Sequence, residues 1–129
     1  MVVGIGTDIV EISRISRAVR RSRFVERVFT EAERKYCLSR ARPEEHFAGR
    51  FAAKEAVLKA LGTGKRGIAW TEVEILPTRD GSPRVCLRGR AAEVARQKGI
   101  KEVLVSLSHS REYAVAYAVS LGVVERCCW

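Results

Sequence analysis

No asparagine occurs among the 129 residues, glutamine occurs once, at Gln97, and aromatic side chains make up only 7%. The missing amides carry no functional signal. The scarcity of aromatics weighs against a base-stacking nucleic-acid module, as does the lack of an RNA-recognition-motif sequence. No apolar run reaches the 18 or so residues that a membrane span needs. Met1-Val2-Val3-Gly4-Ile5 leads to Asp8 and Glu11 without the basic start of a signal peptide. Cys37, Cys86, Cys127 and Cys128 show no C-x-x-C spacing, so neither a zinc site nor a disulfide framework is expected. A reducing cytoplasm is the expected location, with neither membrane nor nucleic acid as partner.

Positive charge, by contrast, is plentiful: 24 Lys plus Arg stand against 15 Asp plus Glu, a net charge of +9. Residues 1–66 hold 15 of the basic side chains and eight of the acidic ones, so an anionic partner is expected to bind mainly to the first half. With 47% apolar residues, a chain of this length can bury roughly two-thirds of its unfolded surface, which suits a single domain over residues 1–129.

Val2, Val3 and Ile5 read as a short strand that bends at Gly4 and Gly6 into a helix starting near Asp8. On that helix Ile9, Ile12, Ile15 and Val19 fall within about 120° of arc, and Arg14, Arg17 and Arg21 within about 60° on another face. Phe24–Thr30 reads as irregular. Thr30-Glu31-Ala32-Glu33 is a capping-box pattern opening a helix to about Ser39. Pro43 and the acids Glu44 and Glu45 open the longest helix, which should end at Gly62. Thr71–Pro77 and Arg84–Leu87 read as a hairpin about Asp80-Gly81, Gly89–Lys98 as a helix, and Val103–Ser108 with Tyr113–Leu121 as a final hairpin. The fold class is α+β, a small antiparallel sheet packed with one long and several short helices.

Glu55 is the most informative residue. Ala48, Ala52, Phe51 and Leu58 all fall within about 60° of it on the long helix, so a carboxylate stands inside an apolar stripe. Burying that charge demands a cation: a metal, Lys59 one turn on, or both. The plainer alternative is a surface Glu55–Lys59 pair worth about 0.3–0.5 kcal/mol. Asp8 has two readings as well: a helix N-cap answered by Glu11, or a second carboxylate that shares one Mg²⁺ with Glu55 beside phosphate oxygens. Gly62-x-Gly64-x-x-Gly67 imitates a dinucleotide fingerprint but follows a helix, so it reads first as a helix terminus whose N–H groups could face an anion. His109, flanked by Ser108 and Ser110, either bonds phosphate or is a silent loop histidine. A Mg²⁺ nuclease with a Glu-x-Lys strand is excluded by spacing, because Glu55 and Lys59 are four apart on a helix.

Three segments occur in order: Gly4-Ile5-Gly6-Thr7-Asp8, then Phe51-Ala52-Ala53-Lys54-Glu55-Ala56-Val57-Leu58-Lys59, then Val105-Ser106-Leu107-Ser108-His109-Ser110. Together they resemble the small bacterial type of 4′-phosphopantetheinyl transferase, the holo-acyl-carrier-protein synthases, whose motifs are G-x-D and F-x-x-K-E-[SA]-x-x-K. The resemblance runs from residue 3 to about 119 and excludes the Cys127-Cys128-Trp129 tail. It implies transfer of the phosphopantetheine arm of coenzyme A to a serine of apo acyl carrier protein, for fatty acid biosynthesis, with release of adenosine 3′,5′-bisphosphate. It further implies Asp8 and Glu55 as Mg²⁺ ligands, with Glu55 a candidate base, and Lys59 as a contact to the coenzyme A phosphates. Arg50, Lys54, Gly62, Gly64, Ser108 and His109 would complete the nucleotide contacts. Arg14, Arg17 and Arg21 would dock the acidic carrier protein. A homotrimer with active sites at subunit interfaces is implied too.

Overall fold

Two periodicities meet at the centre of the molecule, which a computed structural model describes for residues 1–123. Cys127, Cys128 and Trp129 lie outside the described residues. In β1 (Val2–Glu11) alternation puts Gly4, Gly6, Asp8 and Val10 on one face. In α4 (Pro43–Leu61) Ala52, Ala56 and Ala60 form a ridge one turn apart. The two elements meet backbone to backbone: a Cβ at Gly4 would strike the Ala60 carbonyl, and one at Gly6 the Ala56 carbonyl. The glycines of β1 therefore serve close approach and not a bend.

The antiparallel sheet under α4 runs β1-β5-β4, with β4 spanning Ile100–His109 and β5 Tyr113–Gly122. Ala114, Ala116, Ala118 and Ser120 of β5 point inward and are buried, and Ser120 Oγ donates to the Ala60 carbonyl at 2.8 Å. Small side chains on both surfaces hold helix and sheet close together. A second, two-stranded antiparallel sheet pairs β2 (Val73–Pro77) with β3 (Pro83–Leu87) through the Asp80-Gly81 turn, and α5 (Gly89–Gln97) follows. Val57, Leu61, Val73, Ile75, Val94 and Val103 form the core between these layers. A second core of Ile12, Ile15, Val28, Phe29 and Phe47 lies under α1 (Ile12–Ala18), α2 (Ser22–Val28) and the start of α4. The expected capping box opens α3 (Glu31–Leu38): the Glu33 N–H donates to Thr30 Oγ1 at 3.2 Å, and the Thr30 N–H to Glu33 Oε1 at 2.9 Å. Pro43 at the start of α4 and Gly62 at φ +77° beyond its end also match expectation.

Three local expectations are corrected. The helix placed at Asp8 begins only at Ile12, because β5 extends the strand: Asp8 pairs with Ala116, and Ile9 faces outward at 62% exposure. Asp8 therefore caps nothing, and Glu11, at the N-cap, makes no side-chain cap bond. The helix also stops at Ala18, so Arg14 and Arg17 belong to α1 while Arg21 is the N-cap residue of α2, and the three form no continuous stripe. Finally, part of the stretch read as irregular is α2, whose Val28 is buried and leads to the fully buried Phe29.

Candidate active site

The strand face that carries Gly4 and Gly6 carries Asp8 two residues further on, beyond the zone of tightest contact. There it meets the flank of α4 that holds Glu55 and Lys59. Lys59 Nζ lies 3.5 Å from Asp8 Oδ1 and donates to the Thr7 carbonyl at 2.7 Å. Loss of solvation first, and then the negative charge of Asp8, push the Glu55 carboxyl above its ordinary pKa; Lys59 and Lys65 pull against this. Asp8 and Glu55 open into a groove of about 560 Å³ whose walls include Arg14, Phe24, Phe51 and Tyr113.

Two carboxylates whose mutual repulsion Lys59 and Lys65 offset only in part, with hard oxygen donors, fit a Mg²⁺ ion. Among the described residues no group of three or more potential ligand side chains exists. The pair Asp8 and Glu55 is a donor set of the kind Mg²⁺ takes, since that ion commonly uses one or two protein carboxylates together with water and phosphate oxygens.

Arg50, Ser108 and His109 gather elsewhere. They line a smaller pocket of about 220 Å³ together with Tyr36, Glu45 and His46. Arg50 stands about 140° around α4 from Glu55. It is 7% exposed, its guanidinium carbon lies 4.3 Å from the Tyr36 ring centroid, and its Nε has no hydrogen-bond partner. A buried, unspent donor is what an anion would satisfy. His109 is the last residue of β4 and not a loop residue, and its Nε2 lies 3.8 Å from Glu45 Oε2. Burial, and then the charge of Arg50, hold His46 below the ordinary histidine pKa.

The remaining predicted residues separate. Gly62 lines a shallow basic depression with Thr63, Arg66 and Arg90, while Gly64, at φ +59°, has open space around its Cα. Arg14 lines the groove that holds Asp8 and Glu55. Arg21 lines the adjoining one, of about 460 Å³, with Arg23, Arg27, Phe24, Val28, Phe51 and Trp70, and Arg17 lines neither. Lys54 departs most from expectation: it is fully buried, and its ammonium is bonded inside the protein and not presented to a ligand. Sequence reading missed the aromatic wall of Phe24, Phe51 and Trp70, whose members come from three separate segments; the only hint was Phe51 within the motif. A cleft of about 640 Å³ between β3, β4 and α5 holds none of the predicted residues.

A family model described as the 4′-phosphopantetheinyl transferase superfamily matches residues 4–118. The holo-[acyl-carrier-protein] synthase of Caldanaerobacter subterraneus is 45% identical over 123 residues, 95% of this chain and 97% of that protein. The crystal structure of the Neisseria meningitidis holo-[acyl-carrier-protein] synthase superposes with a TM-score of 0.86 at 33% identity, covering 94% of this chain and 99% of that one. That of the Bacillus anthracis synthase, in complex with coenzyme A (3′,5′-ADP), gives a TM-score of 0.79 at 36% identity, covering 95% and 99%. Fold and motif residues thus agree on a class: the chain belongs to the 4′-phosphopantetheinyl transferase superfamily. Within that class it is a member of the holo-[acyl-carrier-protein] synthase family.

Proposed function

We propose that this protein transfers the 4′-phosphopantetheine group of coenzyme A to a serine hydroxyl of apo acyl carrier protein, with Mg²⁺, in the cytoplasm, at sites completed between the subunits of a homotrimer. The observation that carries the reading is the meeting of Asp8, Glu55 and Lys59 across two elements some fifty residues apart in sequence, in a chain with the motifs and full-length fold of the family.

In the transfer the serine oxygen forms a bond to the pantetheine-bearing phosphorus. The bond from that phosphorus to the bridging oxygen breaks, and its electron pair leaves with adenosine 3′,5′-bisphosphate. Asp8 and Glu55 would hold the Mg²⁺, which when bound supplies positive charge against the pyrophosphate oxygens. Lys59, two bonds of whose ammonium already face Asp8 and Thr7, would direct charge at the same phosphates. Glu55 is the candidate acceptor of the serine proton: its raised pKa gives it more basicity than an ordinary carboxylate. Arg50, Ser108 and His109 would bind the nucleotide end.

Two features support shared sites. Within one chain the phosphate-binding candidates line two separate pockets on different flanks of α4, an arrangement that sites shared between copies would accommodate. The outward face of the large sheet also exposes Ile5, Ile9, Leu104 and Tyr117, each at 49–72%. Such a contiguous apolar surface suits burial against other copies.

Incubation with apo acyl carrier protein, coenzyme A and Mg²⁺, followed by mass spectrometry, tests the proposal: the carrier should gain one phosphopantetheine group, and chelator should abolish the gain. An unmodified carrier under all conditions defeats the reading. The basic rim makes a second prediction. Arg14→Glu with Arg21→Glu should weaken carrier binding about tenfold or more at low salt, and less at high salt, while the Kd for coenzyme A changes little. Equal loss of both affinities in paired titrations would refute this division.

A further inference from the structure

The motif segment holds two lysines, and only Lys59 places its ammonium beside Asp8. Lys54 is 0% exposed. Its ammonium has three protons, and three acceptors surround it: Glu33 Oε1 at 2.8 Å, the Trp70 carbonyl at 3.0 Å and the Val73 carbonyl at 2.5 Å. Glu33, also 0% exposed, is occupied in turn. Its Oε1 accepts from the Thr30 N–H at 2.9 Å and its Oε2 from the Ile75 N–H at 2.8 Å. Next to it Glu74 accepts from Thr30 Oγ1 at 2.6 Å and pairs with Arg88 at 2.9 Å. Lys54 therefore has no donor left for a phosphate.

The location of this hub matters more than its existence, because a buried ion pair adds little stability over apolar groups of the same volume. Lys54 adjoins Glu55, and its bonds tie that turn of α4 to the start of α3, to the turn at Trp70 and to the first residue of β2. The Trp70 ring lies 5.3 Å from Phe51, and Phe51 lies 6.0 Å from Phe24. Phe24, Phe51 and Glu55 line one groove. A single ammonium thus fixes both the helical turn that carries the carboxylate and the aromatic wall beside it.

We infer that Lys54 is a positioning residue for the transfer: paired with Glu33, it sets where Glu55 stands against the Phe51–Trp70 wall and makes no contact with coenzyme A. The inference rests on the proposed transferase reading and divides the labour of the two lysines, Lys59 acting on the phosphates and Lys54 acting through Glu55.

Lys54→Met alone strands the Glu33 carboxylate in the interior, so the decisive variant is Lys54→Met with Glu33→Gln, which removes both charges and nearly preserves both volumes. The expected result is a cooperatively folded protein whose coenzyme A Kd and KM stay within about twofold of wild type, while kcat falls about 100-fold, the size of effect that a small misplacement of a catalytic group produces. Amide exchange should accelerate locally, in residues 51–59 and 70–75. Glu33→Gln alone leaves Lys54 its two carbonyls and should show the same pattern at smaller amplitude, which decides the matter if the double variant does not fold. Wild-type kcat in a folded variant overturns the inference. So does coenzyme A binding weakened tenfold at unchanged kcat, which would return Lys54 to the phosphates. If wild-type protein transfers nothing, the transferase reading falls separately, and exchange with coenzyme A affinity still decides the hub: unchanged exchange at 51–59 removes it, and local acceleration at unaltered affinity supports it.

Discussion

Replacing Glu55 by Gln is expected to lower kcat for transfer about a thousandfold, within the range lost when a general base is removed, while coenzyme A still binds. Gln keeps the shape of the side chain and removes its charge and basicity, so proton acceptance and one of two Mg²⁺ ligands are lost together. Stability should move the other way. Because the folded state raises the Glu55 pKa, it holds that proton more tightly than the unfolded chain does, and ionisation costs stability as pH climbs from the unfolded value through the folded one. Without Mg²⁺ at pH 8, therefore, the variant should melt at or above the wild type, and at pH 3 this advantage should vanish. Added Mg²⁺ should raise the wild-type melting temperature and leave the variant unmoved. Parallel melts and a single-turnover assay check all three statements, and full activity in the variant would end the mechanism.

The legible parts of this protein are those whose signals are local. Pro43 and Gly62 bracket α4, Thr30 and Glu33 announce α3, and Asp80-Gly81 marks a hairpin, since each requires only a few residues to satisfy backbone geometry or donors. Glu55 was legible for a related reason: its polarity contradicts the apolar stripe around it on one helix. The end of β1 was not legible. Ile9, Ile12 and Ile15 fit a helical period because Ile9 is apolar on a face that the proposed trimer covers, so its apolarity says nothing about the core of one chain. Lys54 reads as a nucleotide contact in the sequence because it stands one residue from Glu55, whereas in the fold Glu33 and the Trp70 and Val73 carbonyls surround its ammonium. Those partners lie 16 to 21 residues away along the chain, beyond the reach of local pattern. The split of Arg50, Ser108 and His109 from Asp8, Glu55 and Lys59 was hidden in the same way, since it depends on which flank of α4 each sheet edge meets.

Gly6→Ala is expected to be the most damaging single methyl group that can be added to this chain near its site. The new Cβ would meet the Ala56 carbonyl oxygen well inside contact distance, and both the oxygen and Gly6 belong to backbone in regular elements, so neither can turn aside. Relief requires α4 to move off β1, which also strips Ser120 Oγ from the Ala60 carbonyl and opens the alanine layer beneath. A loss of about 3 kcal/mol follows from overpacking of this kind, seen as a melting temperature lower by roughly 10 °C. Transfer should fall at least tenfold even below the melt, because the displacement that relieves Ala56 separates Asp8 from Glu55 and Lys59. Gly49→Ala provides the contrast. There the nearest atom is Leu107 Cδ2 at 3.1 Å, the end of a flexible side chain, and alanine is favoured over glycine inside a helix by about 1 kcal/mol, so stability should hold or rise. If Gly6→Ala melts and turns over like wild type, the two backbones do not need to touch. The G-x-D motif would then owe its glycine to something other than the approach that brings Asp8 to the helix.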